Sequence, residues 1–277
     1  METKTTEIKT GKTKKKLNYR GEDPNNLIAN SIAIVGSRQM TRYGRDVVDK
    51  FVCDLVANSI TTISGFMYGV DTEVALKTLE YGGKHIAVFG CGLNHIYPPE
   101  NKKLYDEIIK SGGSIVSEYE DNAKPSMWKY PQRNKVVVNL ASLGVLVIEA
   151  SENSGSLVTA KLAKKAGKKV WAIPGPINSR VSVGCNELIK SGDAKMATAA
   201  KDIAECQIIN DKLQIKNRPE LPKQEERIYK ILQLEPLEID EIARKTGMRI
   251  EETGTTLSIM GIKGLITESG GKYYITI

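Results

Sequence analysis

The chain has 277 residues, 40% hydrophobic and 26% charged, ordinary for a globular protein and long enough for one large domain plus a small one. No apolar run approaches about 18 residues, so no membrane span is expected, and the lysine-rich N-terminus lacks the apolar stretch of a secretory signal. Cys53, Cys91, Cys185 and Cys206 are scattered without CxxC spacing, and the two histidines are His85 and His95. Free thiols in a reducing cytoplasm are expected, with no metal site and little supply for histidine acid–base catalysis.

The formal net charge of +7 is unevenly placed. Residues 1–20 hold seven Lys/Arg against Glu2 and Glu7. Residues 1–26 are therefore expected to form a basic, disordered tail, with too little apolar surface to offset its ordering entropy. A non-specific nucleic-acid arm and a plain solvated terminus remain equal readings of it.

From Ser31 strands and helices alternate. Ile32–Gly36 reads as a strand and Arg42–Asn58 as a helix. Thr61–Ser64 is the next strand, Val70–Tyr81 the next helix. His85–Phe89 is a strand, Glu100–Ser111 a helix and Ser114–Ser117 a strand. A longer loop, Glu118–Gln132, follows. Arg133-Asn134-Lys135 then opens a short apolar segment before the strand Val145–Glu149. A helix over Ser156–Ala166, a strand over Lys169–Ile173 and a helix over Gly184–Ser191 complete the series. Continuously apolar strands alternating with helices predict a Rossmann-like, doubly wound, mainly parallel α/β sheet. In such sheets ligands sit outside the carboxyl ends of the strands.

The loops at those ends share a composition: Gly36-Ser37-Arg38, Ser64-Gly65-Phe66-Met67-Tyr68-Gly69, Gly90-Cys91-Gly92, Ser154-Gly155-Ser156 and Pro174-Gly175-Pro176. Small residues admit a polyanion, and hydroxyls and N–H groups at a helix start bind its oxygens. Arg38, Arg133 and Lys135 stand ready to supply positive charge.

Residues 27–206 are thus expected to form one domain, and the polar, proline-ended stretch 207–222 a linker. Residues 223–277 read as three helices and a hairpin, a winged helix. That module holds eight Lys/Arg against nine Asp/Glu, with Glu251 and Glu252 near the start of its third helix. A surface that tracks phosphates should be basic, which favours protein contact over duplex reading.

Several ordered motifs resemble one family. They are Val35-Gly-Ser-Arg38, Ser64-Gly-x-x-x-Gly-Val-Asp71, Tyr97-Pro-x-x-Asn101, Ser117-Glu118 and Pro131-x-Arg-Asn134. Glu149-Ala150, Ser154-Gly-Ser-x-x-Thr-Ala160, Pro174-Gly175 and Gly184-x-Asn-x-Leu-Ile189 follow. In order and spacing they resemble DNA-processing protein A, also called DprA or Smf. The resemblance covers residues 27–205, and a winged helix after a linker is similar to that family's C-terminal module. It implies single-stranded DNA binding in a basic pocket of the Rossmann-like domain. It also implies protection of incoming DNA, loading of the RecA recombinase in natural transformation (competence) or recombination, and dimerisation through that domain. No cofactor is implied.

There are departures. Tyr68 stands where the family commonly has a basic residue, Glu73-Val74-Ala75 where it has Ala-His, and Lys135 where it prefers Arg. Tyr68 offers instead a ring to stack on a base. The lysine-rich segment stands where many relatives carry a helical N-terminal domain.

The expected phosphate- and DNA-binding set is Gly36, Ser37, Arg38, Ser64, Gly65, Tyr68, Gly69, Arg133, Asn134, Lys135, Ser154, Gly155, Ser156 and Thr159, with no catalytic residue and no metal ligand. The bland alternatives are a salt bridge from Arg38 to Asp71 or Glu118 and helix capping by Ser154 or Ser156; for Trp128 and Tyr130, stacking on bases and loop packing against the core are equal readings. Cations at a helix start are unfavourable without an anion, so Arg133 and Lys135 are expected to hold one between them. Asp71 reads as a cap or arginine partner. Two other functions compete. Rossmann-like nucleotide hydrolases carry a PGG-x-GT-x-x-E pattern, and the comparable loop Ser154–Lys161 lacks its Glu. A winged-helix transcription regulator would need a more basic module.

Overall fold

The computed structural model describes residues 2–10, 13–203, 221–232 and 235–275. The chain divides into two compact units, Met1–Leu213 and Gln214–Ile277. Most of the linker expected over 207–222, and Cys206 with it, lies outside the described residues.

The first unit opens with β1 (Lys4–Thr10) and β2 (Thr13–Gly21). There follow β3 (Ser31–Gly36), α1 (Arg42–Ala57), β4 (Thr61–Ser64), α2 (Val70–Glu80) and β5 (His85–Phe89). Next come α3 (Lys102–Lys110), β6 (Ser114–Ser117), α4 (Lys129–Leu140) and β7 (Gly144–Ile148). The unit closes with α5 (Gly155–Lys165), β8 (Val170–Ala172), α6 (Val183–Lys190) and β9 (Lys195–Met196). Among the described residues nine strands form one sheet in the order β1-β2-β6-β5-β4-β3-β7-β8-β9. The strands from β3 to β9 pair in parallel, and the first hairpin adds antiparallel to β6.

Alternation along the strands divides the core. Ala33, Val35, Val145 and Val147 face one side, under α4, α5 and α6. Ile32, Ile34, Leu146 and Ile148 face the other, under α1 and α2. Helix α1 meets them with Val48, Phe51, Val52 and Leu55, one stripe at helical spacing. The sheet grows from β3 through β4, β5 and β6 on one side, and from β7 through β8 and β9 on the other. The crevice between the carboxyl ends of β3 and β7 is the topological switch point, where such sheets bind ligands.

Two sequence expectations are corrected. The described part of the N-terminal segment is not a disordered tail: β1 and β2 pair from Lys4↔Tyr19 to Thr10↔Thr13, and β2 joins β6 from Asn18↔Ser117 to Gly21↔Ser114. Ile8, Leu17 and Tyr19 enter the core on one side of this hairpin, each burial contributing about 1.5–3 kcal/mol. Arg20 is used internally as well, donating to the Leu93 carbonyl at 3.0 Å and pairing with Asp121 at 3.5 Å. Second, the loop expected through Gln132 ends early, because α4 begins at Lys129. Pro131 fits there, since the first turn of a helix needs no N–H donor.

The second unit comprises α7 (Lys223–Leu232), β10 (Leu237–Glu238), α8 (Ile239–Thr246), α9 (Ile250–Ile262), β11 (Ile266–Ser269) and β12 (Lys272–Ile275). Ile228, Leu232, Ile242, Leu257, Met260 and Ile266 form its core. With the small sheet β10-β12-β11 this is a winged helix. Among the described residues no helix is long and apolar enough to cross a membrane.

Candidate functional site

A cavity of about 490 Å³ opens at the switch point. The loop after β3 supplies Gly36, Ser37, Arg38 and Gln39. The loop after β4 supplies Gly65, Met67 and Tyr68, with Asp71 at the start of α2. Helix α4 contributes Tyr130, Pro131, Arg133, Asn134 and Val137. The segment after β7 and the start of α5 add Ser151, Ser154, Gly155, Ser156, Val158 and Thr159.

Arg38 is exposed and lies 5.8 Å from the centroid of the Tyr130 ring. Unlike Arg20 and Arg45, it has no carboxylate within ion-pair distance among the described residues. Its two sequence-level partners are engaged elsewhere. Glu118 pairs with Lys15, and Asp71 is buried, its carboxylate accepting from the Met67 N–H at 3.3 Å.

Arg133 behaves differently. It is buried, and its Nη1 donates to the carbonyls of Gly65 and, at 2.8 Å, Val88. It thereby joins the ends of β4 and β5 to α4. A side chain at Gly65 would overlap the guanidinium, which explains glycine there. Burial raises the Asp71 pKa, and the Arg133 charge opposes that rise. Burial lowers the Arg133 pKa, and Asp71 in turn opposes that fall. The two sustain each other's charge beneath the pocket floor.

Lys135 does not join Arg133 around an anion. Residues two apart on a helix face nearly opposite directions, and Lys135 is exposed, away from the cavity. Its charge reaches Lys15 instead, whose pKa is lowered by burial first and by Lys135 second. Asn134 lines the cavity and accepts from Arg133 Nε at 3.2 Å.

Ser64 is also absent from the cavity wall. It is buried, and its hydroxyl donates to the Asp71 carbonyl at 3.1 Å and lies 3.2 Å from Nε2 of His85. Gly69 precedes α2 with φ 73°, its backbone packed on Ser37 and Arg38. Tyr68 leaves 40% of its surface exposed at the cavity, and its hydroxyl donates to Glu100 at 3.0 Å.

The start of α5 carries no side-chain cap from Ser154. The Ser154 and Ser156 hydroxyls lie 2.7 Å from each other instead, and Thr159 donates to the Gly155 carbonyl at 3.2 Å. Helix capping by Ser154 is therefore not what these residues provide. Nothing lies within 4 Å of where a Gly155 side chain would stand, so local packing does not require glycine there. Its bare backbone keeps the pocket open at the positive end of a helix dipole.

Glu149, the residue after β7, is buried with φ 54°. Its carboxylate accepts from the Thr41 N–H at 2.9 Å and from the Thr41 hydroxyl, holding the start of α1. Sequence reading weighed Asp71 and Tyr130 for roles here but did not find Gln39, Met67, Val137, Ser151 or Val158. Nothing in their residue types sets them apart; chain folding alone brings them in.

Fold and site together define a Rossmann-like α/β protein with an anion-compatible pocket at its switch point and a C-terminal winged helix. The family model for DNA recombination-mediator protein A matches residues 6–207, and that for the DprA winged helix domain matches residues 216–272. The chain belongs to the DNA recombination-mediator protein A family. It is 40% identical over 172 residues to DNA processing protein DprA of Streptococcus pneumoniae, covering 62% of this chain and 60% of that one. It is 39% identical over 174 residues to Protein Smf of Escherichia coli, covering 63% and 46%. The chain thus spans less than two thirds of these relatives' length.

Two solved structures are similar. The X-ray structure of S. pneumoniae DprA has a TM-score of 0.63 at 38% identity, covering 69% of this chain and 66% of that one. The Helicobacter pylori DNA processing protein A structure, described for its single-stranded DNA binding mode, has a TM-score of 0.64 at 29% identity, covering 73% and 93%.

Proposed function

We propose that the switch-point pocket binds the sugar–phosphate backbone of single-stranded DNA, without turnover. The observation that carries this reading is the exposed Arg38, without a carboxylate partner among the described residues, facing the start of α5, without a side-chain cap, across one cavity. A guanidinium and a ring of N–H groups recognise a phosphate together. Tyr68 and Tyr130 supply rings for bases, which single strands present and duplexes hide. The H. pylori relative's single-stranded DNA binding supports the same assignment.

Among the cavity's described lining residues Asp71 is the only carboxylate, and it is committed beneath Arg133. Hydrolysis would need an activated nucleophile or a tuned acid–base pair, so a binding role fits better. We further propose that the protein protects incoming DNA, hands it to a RecA-type recombinase and works as a homodimer; the family's motifs support this reading.

The test is equilibrium binding to a single strand, a duplex of equal length and free nucleotides at matched salt. Single strands should bind tightest, with affinity falling as salt rises. Equal or tighter duplex binding defeats the proposal. So does product released from labelled strand or nucleoside monophosphate in magnesium or manganese by wild type but not by the double variant Asp71→Ala, Glu118→Ala.

A further inference from the structure

Beside the pocket, the segment between β6 and α4 ends in two large apolar side chains, Met127 and Trp128, that the pocket does not use. Trp128 leaves 59% of its surface exposed and Met127 78%. An indole left in water forgoes the burial that large apolar groups otherwise gain. Yet this one is held by a built scaffold. Tyr119 meets it edge-on, with ring centroids 6.5 Å apart and planes at 89°. The Lys129 ammonium lies 4.7 Å from the Tyr119 centroid and 5.6 Å from the Trp128 centroid, and donates to the Lys124 carbonyl at 2.7 Å.

Tyr119 is itself anchored on three sides. Its N–H donates to Ser117 Oγ at 3.0 Å, its carbonyl accepts from Asn18 Nδ2 at 2.9 Å, and its hydroxyl donates to Gln132 at 3.4 Å. Strands β2 and β6 and helix α4 thus all brace the ring pair. Two neighbouring carboxylates are paired with the hairpin, Glu118 with Lys15 and Asp121 with Arg20, while Glu120 stays exposed. Two residues beyond Trp128 stands Tyr130, in the pocket wall.

We propose that Trp128, braced by Tyr119, is a second stacking platform that receives a base of the single strand just outside the pocket. The strand then runs from the Arg38 side, past Tyr130, onto Trp128. This rests on the pocket binding single-stranded DNA. A stacked aromatic suits a base of any sequence, because every base has a π-face.

Intrinsic fluorescence of the full chain tests it directly. Its two tryptophans are Trp128 and Trp171, and Trp171 is 2% exposed, with its indole N–H donating to the Asp202 carbonyl. Oligothymidylates of about 4 and about 16 nucleotides bracket the usual single-strand site sizes. The longer strand should quench emission of the wild type but not of Trp128→Phe, in which only Trp171 reports. Trp128→Ala should lose about tenfold in affinity for the long strand and little for the short one. Trp128→Phe should retain affinity, since a phenyl ring still stacks, and an abasic strand of equal length should bind without quenching. If Arg38→Ala weakens both strands while Trp128→Ala weakens neither and no quenching occurs, the platform is wrong and the pocket stands. If the wild type binds no single strand, both fall.

Discussion

Arg38 and Arg133 reach the same cavity from different depths, and their replacements should separate accordingly. Arg38 is exposed and makes no ion pair among the described residues, so Arg38→Ala should leave the unfolding midpoint unchanged and cost about 1–3 kcal/mol in single-strand affinity. Arg133 is buried against Asp71 and two carbonyls. Removing it leaves the buried Gly65 and Val88 carbonyls without this donor, so Arg133→Ala should lower stability by about 1–3 kcal/mol for each carbonyl, read in urea unfolding. Arg133→Lys should rescue it only in part, because one ammonium nitrogen replaces the Nη1 that serves both carbonyls but the Nε–H donated to Asn134 is lost. Unchanged stability with lost affinity would make Arg133 a direct contact instead. His85 gives a pH signature. It is buried between Thr62 Oγ1, 2.8 Å from Nδ1, and Ser64 Oγ, and burial pushes its pKa down to about 3 from 6.5. Between those values the unfolded chain binds a proton that the folded chain refuses, so stability falls as pH falls. The loss should reach about 2 kcal/mol from about pH 7 to about pH 5, at about 1.4 kcal/mol per pH unit below 6.5. His85→Gln should flatten that part of the urea-midpoint profile; an unchanged slope would assign it to other groups.

Among the elements, the β1–β2 hairpin is the one whose character composition conceals. Lys4, Lys14 and Lys16 are exposed on it, and lysines on an edge hairpin discourage pairing with another chain. The residues that read as disorder are therefore compatible with a strand, while Ile8, Leu17 and Tyr19 hold it to the sheet. Leu17→Ala should cost about 2–5 kcal/mol, measured by chemical denaturation. A disordered segment would tolerate the change without effect. Helix α4 was half-legible: Val136, Val137 and Val138 announce an apolar element, but Pro131 hides that its first turn begins before Arg133.

At the scale of the whole chain, the two units carry different charge. The winged helix holds eight Lys/Arg against nine Asp/Glu. Its α9 contains no Lys or Arg, and exposes Glu251 at its start and Ile262, 88% exposed, at its end. Such a face offers phosphates little attraction. Removing residues 221–277 should therefore change single-strand affinity by less than tenfold, about 1.4 kcal/mol, and leave its salt dependence intact. A larger loss from a folded truncation would move the binding surface to the winged helix.

The sequence by itself determined the alternation of strands and helices, the glycine- and serine-rich loops at the strand ends and the winged helix, because periodicity and turn chemistry are properties of neighbours along the chain. Five strand-end loops looked alike in that reading. Only strand order decided that those after β3, β4 and β7 share a cavity, with α4 as its remaining wall. Helix phase decided that Arg133 turns inward to Gly65 and Val88 while Lys135, two residues on, turns away toward Lys15. Sheet extension decided that a lysine-rich segment is structured, since the strand that pairs with it, β6, lies far along the chain. Each depends on packing between distant segments, which no local pattern encodes.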